Sequence, residues 1–200
     1  MDYNFLDLRK RRTLFLGETN SGKTSLTTRL IEHAVASRCF AEDADKEGIV
    51  VIDFAPDAII SETGTGKVKL GGKLNLNGSL EKMVKYHYSS PEITAPRTKG
   101  RTREEVLALS RHNLRVCNLL LDAAEAKVSP ASTAFINDVT IYFHAGRADR
   151  IADLSRRVET FIANGYRGVS LADDKGSGVS EREAKETDRL ASSMDAVYMF

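Results

Sequence analysis

One short stretch near the start of the chain constrains the fold more than any other feature. Residues 14–26 read LFLGETNSGKTSL, so that Gly17, Gly22, Lys23 and Thr24 follow the spacing G-x-x-x-x-G-K-T. This spacing is the pattern of a phosphate-binding loop. The glycines adopt backbone angles that turn successive N–H groups toward one point, and the helix behind the loop adds its positive end. The sequence therefore predicts a site for a phosphorylated ligand.

The residues on either side of the loop agree with this prediction. Residues 13–16 form an apolar run of the length of a short buried strand, and Leu26, Leu30 and Ala34 continue at helical spacing after the loop. Strand, loop and helix thus come in the order that a phosphate-binding loop requires.

Each loop residue has an expected task. Lys23 would reach the β- and γ-phosphates, the Thr24 hydroxyl would ligate Mg²⁺, and Ser25 would contact the α-phosphate. The expected nucleotide-binding residues are Gly17, Glu18, Thr19, Asn20, Ser21, Gly22, Lys23, Thr24 and Ser25. We therefore expect a nucleoside triphosphate, ATP or GTP, to bind here together with Mg²⁺.

Composition bounds the class of protein. The chain has 200 residues, of which 42% are hydrophobic, enough for a single nucleotide-binding domain over residues 1–200. The net charge of +1 gives no overall field that would indicate nucleic acid or a membrane surface as a partner. Cys39 and Cys117 lack metal-ligand spacing, which favours buried thiols in a reducing compartment. No apolar run is long enough to span a bilayer, and we expect a cytoplasmic protein.

Strand and helix patterns alternate along the chain. This alternation predicts a three-layer α/β fold, with a mostly parallel sheet and helices on both faces. Residues 49–53 and 134–136 are apolar runs typical of buried parallel strands. Residues 64–78, which alternate around Gly71 and Gly72, predict an inserted β-hairpin.

The second half of the chain is expected to alternate in the same way. Thr102 and Glu105 form a capping box that starts a long helix. Residues 139–143 leave strand and helix open, because β-branched side chains favour a strand. The apolar spacing from residue 151 to residue 162 predicts one amphipathic helix, and residues 169–172 predict a strand. Ser180 and Glu183 form a second capping box, at the start of the last helix.

A carboxylate at the end of a strand is needed to position the Mg²⁺ ion. Asp53 closes the run IVVID, and Asp138 closes AFIND. In phosphate-loop proteins with an intervening strand, the metal carboxylate lies on the later strand and is often followed by a second acid. If Asn137 fills the first place, Asp138 is the general base or orients the attacking water; if the register is shifted by one, Asp138 holds Mg²⁺ itself. We favour Asp138, and Asp53 remains the other candidate metal ligand.

A basic stretch lies between the two halves of the chain. Residues 96–103 read PRTKGRTR and carry Arg97, Lys99, Arg101 and Arg103. One interpretation is an anion lid in which Arg97 reaches the transferred phosphate. The alternative is a solvated entry into the long helix. The candidate catalytic residues are therefore Lys23, Asp138 and Arg97.

These motifs resemble known families. Residues 13–36 resemble P-loop NTPases, which implies the nucleoside triphosphate-binding fold. The stretch GETNSGKTSLTTRLI is similar to the opening of the molybdopterin-guanine dinucleotide biosynthesis B proteins, which bind GTP. The stretches INDVTIYFHAG and MDAVYMF resemble the second half of the ATP-dependent corrinoid adenosyltransferases, which implies a transferase. The loop of that family carries Gly-Lys-Gly-Lys, whereas residues 20–23 here are Asn-Ser-Gly-Lys.

Two classes of function follow. The first is an enzyme that hydrolyses ATP, or transfers from it to a small acceptor, with Mg²⁺. ATP is favoured over GTP because the chain lacks the Asn-Lys-x-Asp motif with which regulatory GTPases bind guanine. The second is a binding module with slow turnover, in which the stretches 64–78 and 97–103 change order with bound phosphate and a protein partner recognises them.

Overall fold

The computed structural model describes residues 3–38, 48–57, 59–63, 66–70 and 72–200, with only the backbone of Arg38 and of residues 59–63 and 66–70. The strands are β1 (Arg12–Gly17), β2 (Ile49–Asp53), β3 (Ile59–Thr63), β4 (Gly66–Leu70), β5 (Tyr86–Ser89), β6 (Thr133–Asn137), β7 (Thr160–Tyr166) and β8 (Ala196–Met199). The helices are α1 (Phe5–Leu8), α2 (Lys23–Arg38), α3 (Ser79–Met83), α4 (Pro96–Lys99), α5 (Arg103–Glu125), α6 (Thr140–Phe143), α7 (Ala148–Arg156) and α8 (Val179–Ala191).

Six strands form one parallel sheet in the order β5-β2-β6-β7-β1-β8. The expected α/β fold is confirmed. One strand, β7, lies between β1, which leads into the phosphate-binding loop, and β6, which ends at Asn137. Because the carboxyl ends of parallel strands meet at one edge, the residues that follow β1, β2, β6 and β7 are brought together there.

Successive residues of the four central strands β1, β2, β6 and β7 enter two separate cores. On β1, Leu14 and Leu16 pack on one face of the sheet and Phe15 on the other. The core around Phe15 takes buried residues from α1, α2 and α3, and the core around Leu14 takes them from α5, α6, α7 and α8. Helices therefore cover both faces of the sheet, which explains why the strands read as continuous apolar runs.

The inserted hairpin is present, but it lies earlier than its pattern suggested. Strands β3 and β4 pair antiparallel, with Ile59 opposite Leu70. Residues 64–65, between the two strands, lie outside the described residues, as do Gly71 and Cys39. Leu74 and Leu76, whose alternation was read as a hairpin strand, are instead buried in the core around Phe15.

Two expected elements are wrong. The helix predicted from residue 151 to residue 162 ends at Arg156, and Phe161 and Ile162 belong to β7. These two residues are apolar because β7 is buried on both faces. Their spacing from Ile151, Leu154 and Val158 therefore matched the apolar face of a helix by coincidence. The strand predicted at 169–172 is a turn, in which Val169 is 82% exposed.

The helix starts were predicted with mixed success. Thr102 accepts a hydrogen bond from the Glu105 N–H at 3.2 Å, and the Glu105 carboxylate accepts one from the Arg101 N–H, so the first helix cap is confirmed. The second capping box is wrong, because α8 is capped at Gly178 without a side-chain hydrogen bond. Residues 140–143 form the short helix α6 and no strand.

None of the helices in the described ranges is long and apolar enough to cross a lipid bilayer.

Candidate functional site

The cavity at the carboxyl edge of the sheet has a volume of about 450 Å³. Its wall includes residues of the phosphate-binding loop, of α4, of α6 and of the end of β7. The expected phosphate ligands that line it are Thr19, Asn20, Ser21, Gly22, Lys23, Thr24 and Ser25. A volume of this size falls in the range of small-molecule sites.

The loop has the backbone that its glycines were expected to allow. Asn20 has φ 60° and Gly22 has φ 91°, and α2 begins at Lys23. The Lys23 ammonium donates to the Gly17 carbonyl at 2.9 Å, to the Glu18 carbonyl at 2.5 Å and to the Ser21 hydroxyl at 3.1 Å. The lysine is therefore folded over the loop, and its charge lies where an anion would be held.

The first two loop residues lie outside the cavity wall. A Cβ on Gly17 would approach the Phe200 carbonyl oxygen to 2.7 Å, so this glycine allows β1 and the end of β8 to come close. The Glu18 carboxylate accepts hydrogen bonds from the Val169 and Ser170 N–H groups and from the Ser170 hydroxyl. The Ser170 hydroxyl and the Val169 N–H lower the pKa of Glu18 to about 2. Glu18 thus fastens the loop after β7 to the phosphate-binding loop.

A row of polar side chains crosses the sheet beneath α2. Asp53 on β2 is in register with Asn137 on β6, and Asn164 lies on β7. Asn137 donates to an Asp53 oxygen at 2.8 Å and accepts from the Asn164 amide at 2.8 Å. The Thr24 hydroxyl donates to the same Asn137 oxygen, at 3.4 Å. Asn137 therefore lies next to Thr24, the expected Mg²⁺ ligand, and its side chain is uncharged.

Asp53, at the β2 end of this row, is fully buried and does not line the cavity. One of its oxygens accepts from the Ala55 N–H at 3.0 Å and the other from the Leu74 N–H at 2.7 Å. Burial raises the pKa of Asp53, against the lowering effect of Asn137 and these two backbone donors. Asp53 therefore serves as a hydrogen-bond acceptor for backbone N–H groups that follow β2 in the chain.

Asp138 lies in the cavity wall with Lys23. Its backbone has φ 55°, its N–H donates to Asn164 at 3.0 Å, and its carboxylate accepts from the Thr140 hydroxyl at 3.2 Å. Burial, followed by the negative charge of Glu183, raises the pKa of Asp138 to about 6. A carboxylate with such a pKa can take a proton close to neutral pH, as a general base must.

Lys23 belongs to the same electrostatic system. Burial lowers its pKa, and the negative charges of Asp138 and Glu18 act in the opposite direction. A lysine that is partly removed from water has lost part of its stabilisation by solvent. A phosphate bound over the loop N–H groups would stabilise the ammonium, because it supplies a negative charge nearby.

The four cations of the basic stretch do not act together. Lys99, Arg101 and Arg103 are exposed, so the expected four-residue lid is not formed in this state. Arg97 is buried in the cavity wall and forms an ion pair of 2.6 Å with Glu183. Of this stretch, only Arg97 is placed to meet a ligand.

Sequence reasoning missed three residues of this region. Asn164 precedes a glycine, and that pair is typical of a turn, whereas Glu183 has the spacing of a capping box with Ser180. A single histidine such as His144 gives no signal of its own. The Glu183 carboxylate lies 3.3 Å from the His144 ring nitrogen Nε2. No local pattern connects these positions, since they come from β7, α8 and the end of α6.

The residues present fit Mg²⁺ bound through a nucleotide. Within the described ranges no group of three or more His, Cys, Asp or Glu side chains could hold a metal ion on its own. Mg²⁺ in nucleotide sites takes one or two protein ligands and otherwise phosphate oxygens and water. Thr24 and Asp138 offer a hydroxyl and a carboxylate on the wall of one cavity.

No protein-family model matches the chain. No curated protein matches it either. Among solved structures, the chain is similar to the "Crystal structure of Pyrococcus furiosus Hef helicase domain", at 13% identity and a TM-score of 0.40. The match covers 98% of this chain and 36% of that one, so the chain spans about a third of its length. The fold assignment rests on the strand order and on the loop described above.

Proposed function

We propose that the chain binds a Mg²⁺–nucleoside triphosphate in the 450 Å³ cavity and cleaves its γ-phosphate, by hydrolysis or by transfer to a small acceptor. The observation that carries this proposal is the placement of Lys23, at the start of α2, and Asp138, directly after β6, in one cavity wall. ATP is favoured over GTP on the absence of the guanine-binding motif from the sequence. An activity like that of the corrinoid adenosyltransferases stays a prediction.

Each residue has a distinct task in this reaction. The loop N–H groups and Lys23 hold the β- and γ-phosphates, and Thr24 meets Mg²⁺, which neutralises charge on the phosphate oxygens. A water or acceptor hydroxyl attacks the γ-phosphorus while its bond to the leaving diphosphate oxygen breaks. Asp138 accepts the proton of the attacking group. Arg97 donates to the oxygens that gain charge in the transition state.

Phosphate release from ATP and from GTP, with and without Mg²⁺, tests the proposal. We expect Mg²⁺-dependent turnover by the native protein and loss of nucleotide affinity by at least about tenfold in Lys23→Ala, since a charge-assisted contact is removed. Adding candidate hydroxyl acceptors distinguishes transfer from hydrolysis. The proposal fails if the folded native protein binds neither nucleotide, or if Lys23→Ala binds as the native protein does.

A second candidate function is a nucleotide-dependent binding module. The observation that favours it is the attachment of the exposed turn at Val169 and Ser170 to the loop residue Glu18. A phosphate that repositions the loop would also move this turn, and a protein partner would bind the turn in one of its two positions. Limited proteolysis with and without nucleotide tests this function. Identical cleavage at residues 167–172 in both conditions would contradict it.

A further inference from the structure

A buried ion pair lies in the cavity wall. The Arg97 and Glu183 side chains are 6% and 5% exposed, and their charged atoms are 2.6 Å apart. Removing two such charges from water opposes folding, and well-packed apolar side chains in their place are often as stable or more so. Stability alone is therefore a weak reason for this pair, and its position beside the phosphate-binding loop indicates another role.

The guanidinium of Arg97 is held on one edge only. Its Nη1 atom donates both to Glu183 and to the Ser180 hydroxyl, the latter at 3.3 Å. The Tyr166 ring lies 5.2 Å from the guanidinium carbon. Its Nε and Nη2 atoms make no hydrogen bond to the described part of the chain. An arginine has five N–H donors in a rigid fork, so donors remain for an anionic oxygen in the cavity.

Glu183 is itself fixed at both oxygens. Oε2 meets Arg97, and Oε1 lies 3.3 Å from Nε2 of the buried His144. Burial alone would raise the pKa of Glu183, but its contacts with His144 and Arg97 hold that pKa below its ordinary value. The carboxylate therefore stays ionised and presents a fixed negative charge to the guanidinium.

We propose that Glu183 is a positioning residue: it holds Arg97 in the cavity wall so that the unpaired edge of the guanidinium faces the γ-phosphate. This inference rests on the proposed function. Arg97 is oriented before the nucleotide arrives, so that no side-chain freedom is lost when charge develops on the transferred phosphate. His144 and Ser180 support the pair from the far side.

The test compares Glu183→Gln with a matched control. Glu186→Gln changes a buried carboxylate on the same helix that accepts from the Ala148 N–H at 2.8 Å and does not line the cavity. Turnover and affinity for a non-hydrolysable ATP analogue are measured for each, with near-ultraviolet circular dichroism as the check on folding.

We expect Glu183→Gln to lower kcat at least about tenfold, since one oriented transition-state contact is disturbed. Its affinity for the analogue should stay equal to that of the native protein or become tighter, because the freed Arg97 charge still attracts phosphate. Glu186→Gln should resemble the native protein in both measurements.

Two further variants test the pair if Glu183→Gln does not fold. Arg97→Lys keeps the charge but loses the fork, and Ser180→Ala removes the second acceptor of Nη1. Both should lower kcat more than affinity, the serine variant less than the lysine variant. Native turnover in both overturns the inference, as does a folded Glu183→Gln whose kcat equals or exceeds the native value. Nucleotide binding without an effect at Glu183 would refute only the positioning role, whereas no binding by the native protein refutes the proposed function as well.

Discussion

Asp138 has a backbone conformation, φ 55°, that L-amino acids rarely adopt and that Asp and Asn tolerate best. The turn places its carboxylate in the cavity wall, where burial raises the pKa to about 6. The folded chain therefore holds a proton on Asp138 to higher pH than the unfolded chain does. Between about pH 4 and pH 6 the folded state binds more protons, so the contribution of this residue to stability falls as pH rises through that range.

Asp138→Asn should therefore stabilise the protein while it stops turnover. Asn is tolerated at the same backbone angles, and it has no charge to bury. We expect a gain in the free energy of unfolding of about 1–3 kcal/mol at pH 7.5, from the size of the pKa difference. The gain should shrink toward pH 4, where both proteins are neutral at this position. Urea unfolding across this pH range measures it, and a gain independent of pH would show that the raised pKa is not its cause.

Asp53→Asn should have the opposite effects on stability and turnover. Asp53 accepts from Ala55, Leu74 and Asn137, so an amide in its place must turn its NH₂ group toward one of these donors. We expect a loss of about 1–3 kcal/mol in the free energy of unfolding, the cost of leaving a buried donor unpaired. The folded fraction should keep its turnover. Asp57→Asn, at an exposed ion pair with Lys73, is the control and should change stability by less than about 1 kcal/mol.

The ranking of the two aspartates can fail in a clear way. If Asp53→Asn abolishes Mg²⁺-dependent turnover in a folded protein while Asp138→Asn keeps it, the active-site carboxylate lies on β2 and not directly after β6.

At the scale of elements, the close approach of α6 to β7 places Asp138. A Cβ on Gly165 would lie 2.6 Å from the Thr140 methyl carbon, and the Thr140 hydroxyl accepts from the Tyr166 N–H at 3.0 Å while it donates to Asp138. Gly165→Ala must push α6 away. We expect a loss of about 1–3 kcal/mol in stability, as in other overpacked sites, together with reduced turnover.

A glycine in an open setting provides the control for this variant. A Cβ on Gly48 would meet its nearest atom, the Ser132 hydroxyl oxygen, at 3.4 Å. Gly48→Ala should therefore leave turnover unchanged. Thermal unfolding and turnover of the two variants decide the matter, and equal effects at both glycines would count against a role for the α6–β7 contact.

The elements around the motif could be predicted from the sequence because their signals are local. The loop spacing, the run before it and the helical spacing after it all lie within residues 13–34, and residues 49–53 form β2 as predicted. By contrast, β7 contains Asn164 and Gly165, which read as a turn, yet the fold buries both beside α2 and α6. Tertiary packing overrides the turn preference there.

The residues of the candidate site also fall into two groups, those that the local sequence indicates and those that only tertiary packing places. Lys23 and Thr24 belong to a motif, and Asp138 follows an apolar run, so each could be chosen from its neighbours in the chain. Glu183 could not, because its role depends on α8 lying beside Arg97 of α4. A charged residue on a helix is ordinarily solvated, and only the packing shows that this one is buried.

At the scale of the whole molecule, nucleotide binding should raise the unfolding temperature. A ligand at about 100 times its Kd adds about 2.7 kcal/mol, which for a chain of this length corresponds to about 5–10 °C. Lys23→Ala, with affinity lowered about tenfold, should show about half of that shift at the same ligand concentration. Lys99→Ala, an exposed lysine on α4, should show the full shift. Equal shifts in all three proteins would mean that the ligand stabilises another site.

The sheet order also determines when the loop can form. β1 pairs only with β7 and β8 in the described sheet, and the Arg12 N–H donates to Asp195, 183 positions along the chain. The strand that precedes the phosphate-binding loop is thus synthesised before β7 and β8, and it can pair only after those two strands have emerged from the ribosome. Pairings between such distant segments form slowly, because a long loop must close first. On refolding from urea, we expect fluorescence from a bound nucleotide analogue to appear later than the helical circular dichroism signal. Nucleotide binding would then report the pairing of β1 with β7 and β8, and a newly made chain would gain its ligand only after those two strands have been synthesised.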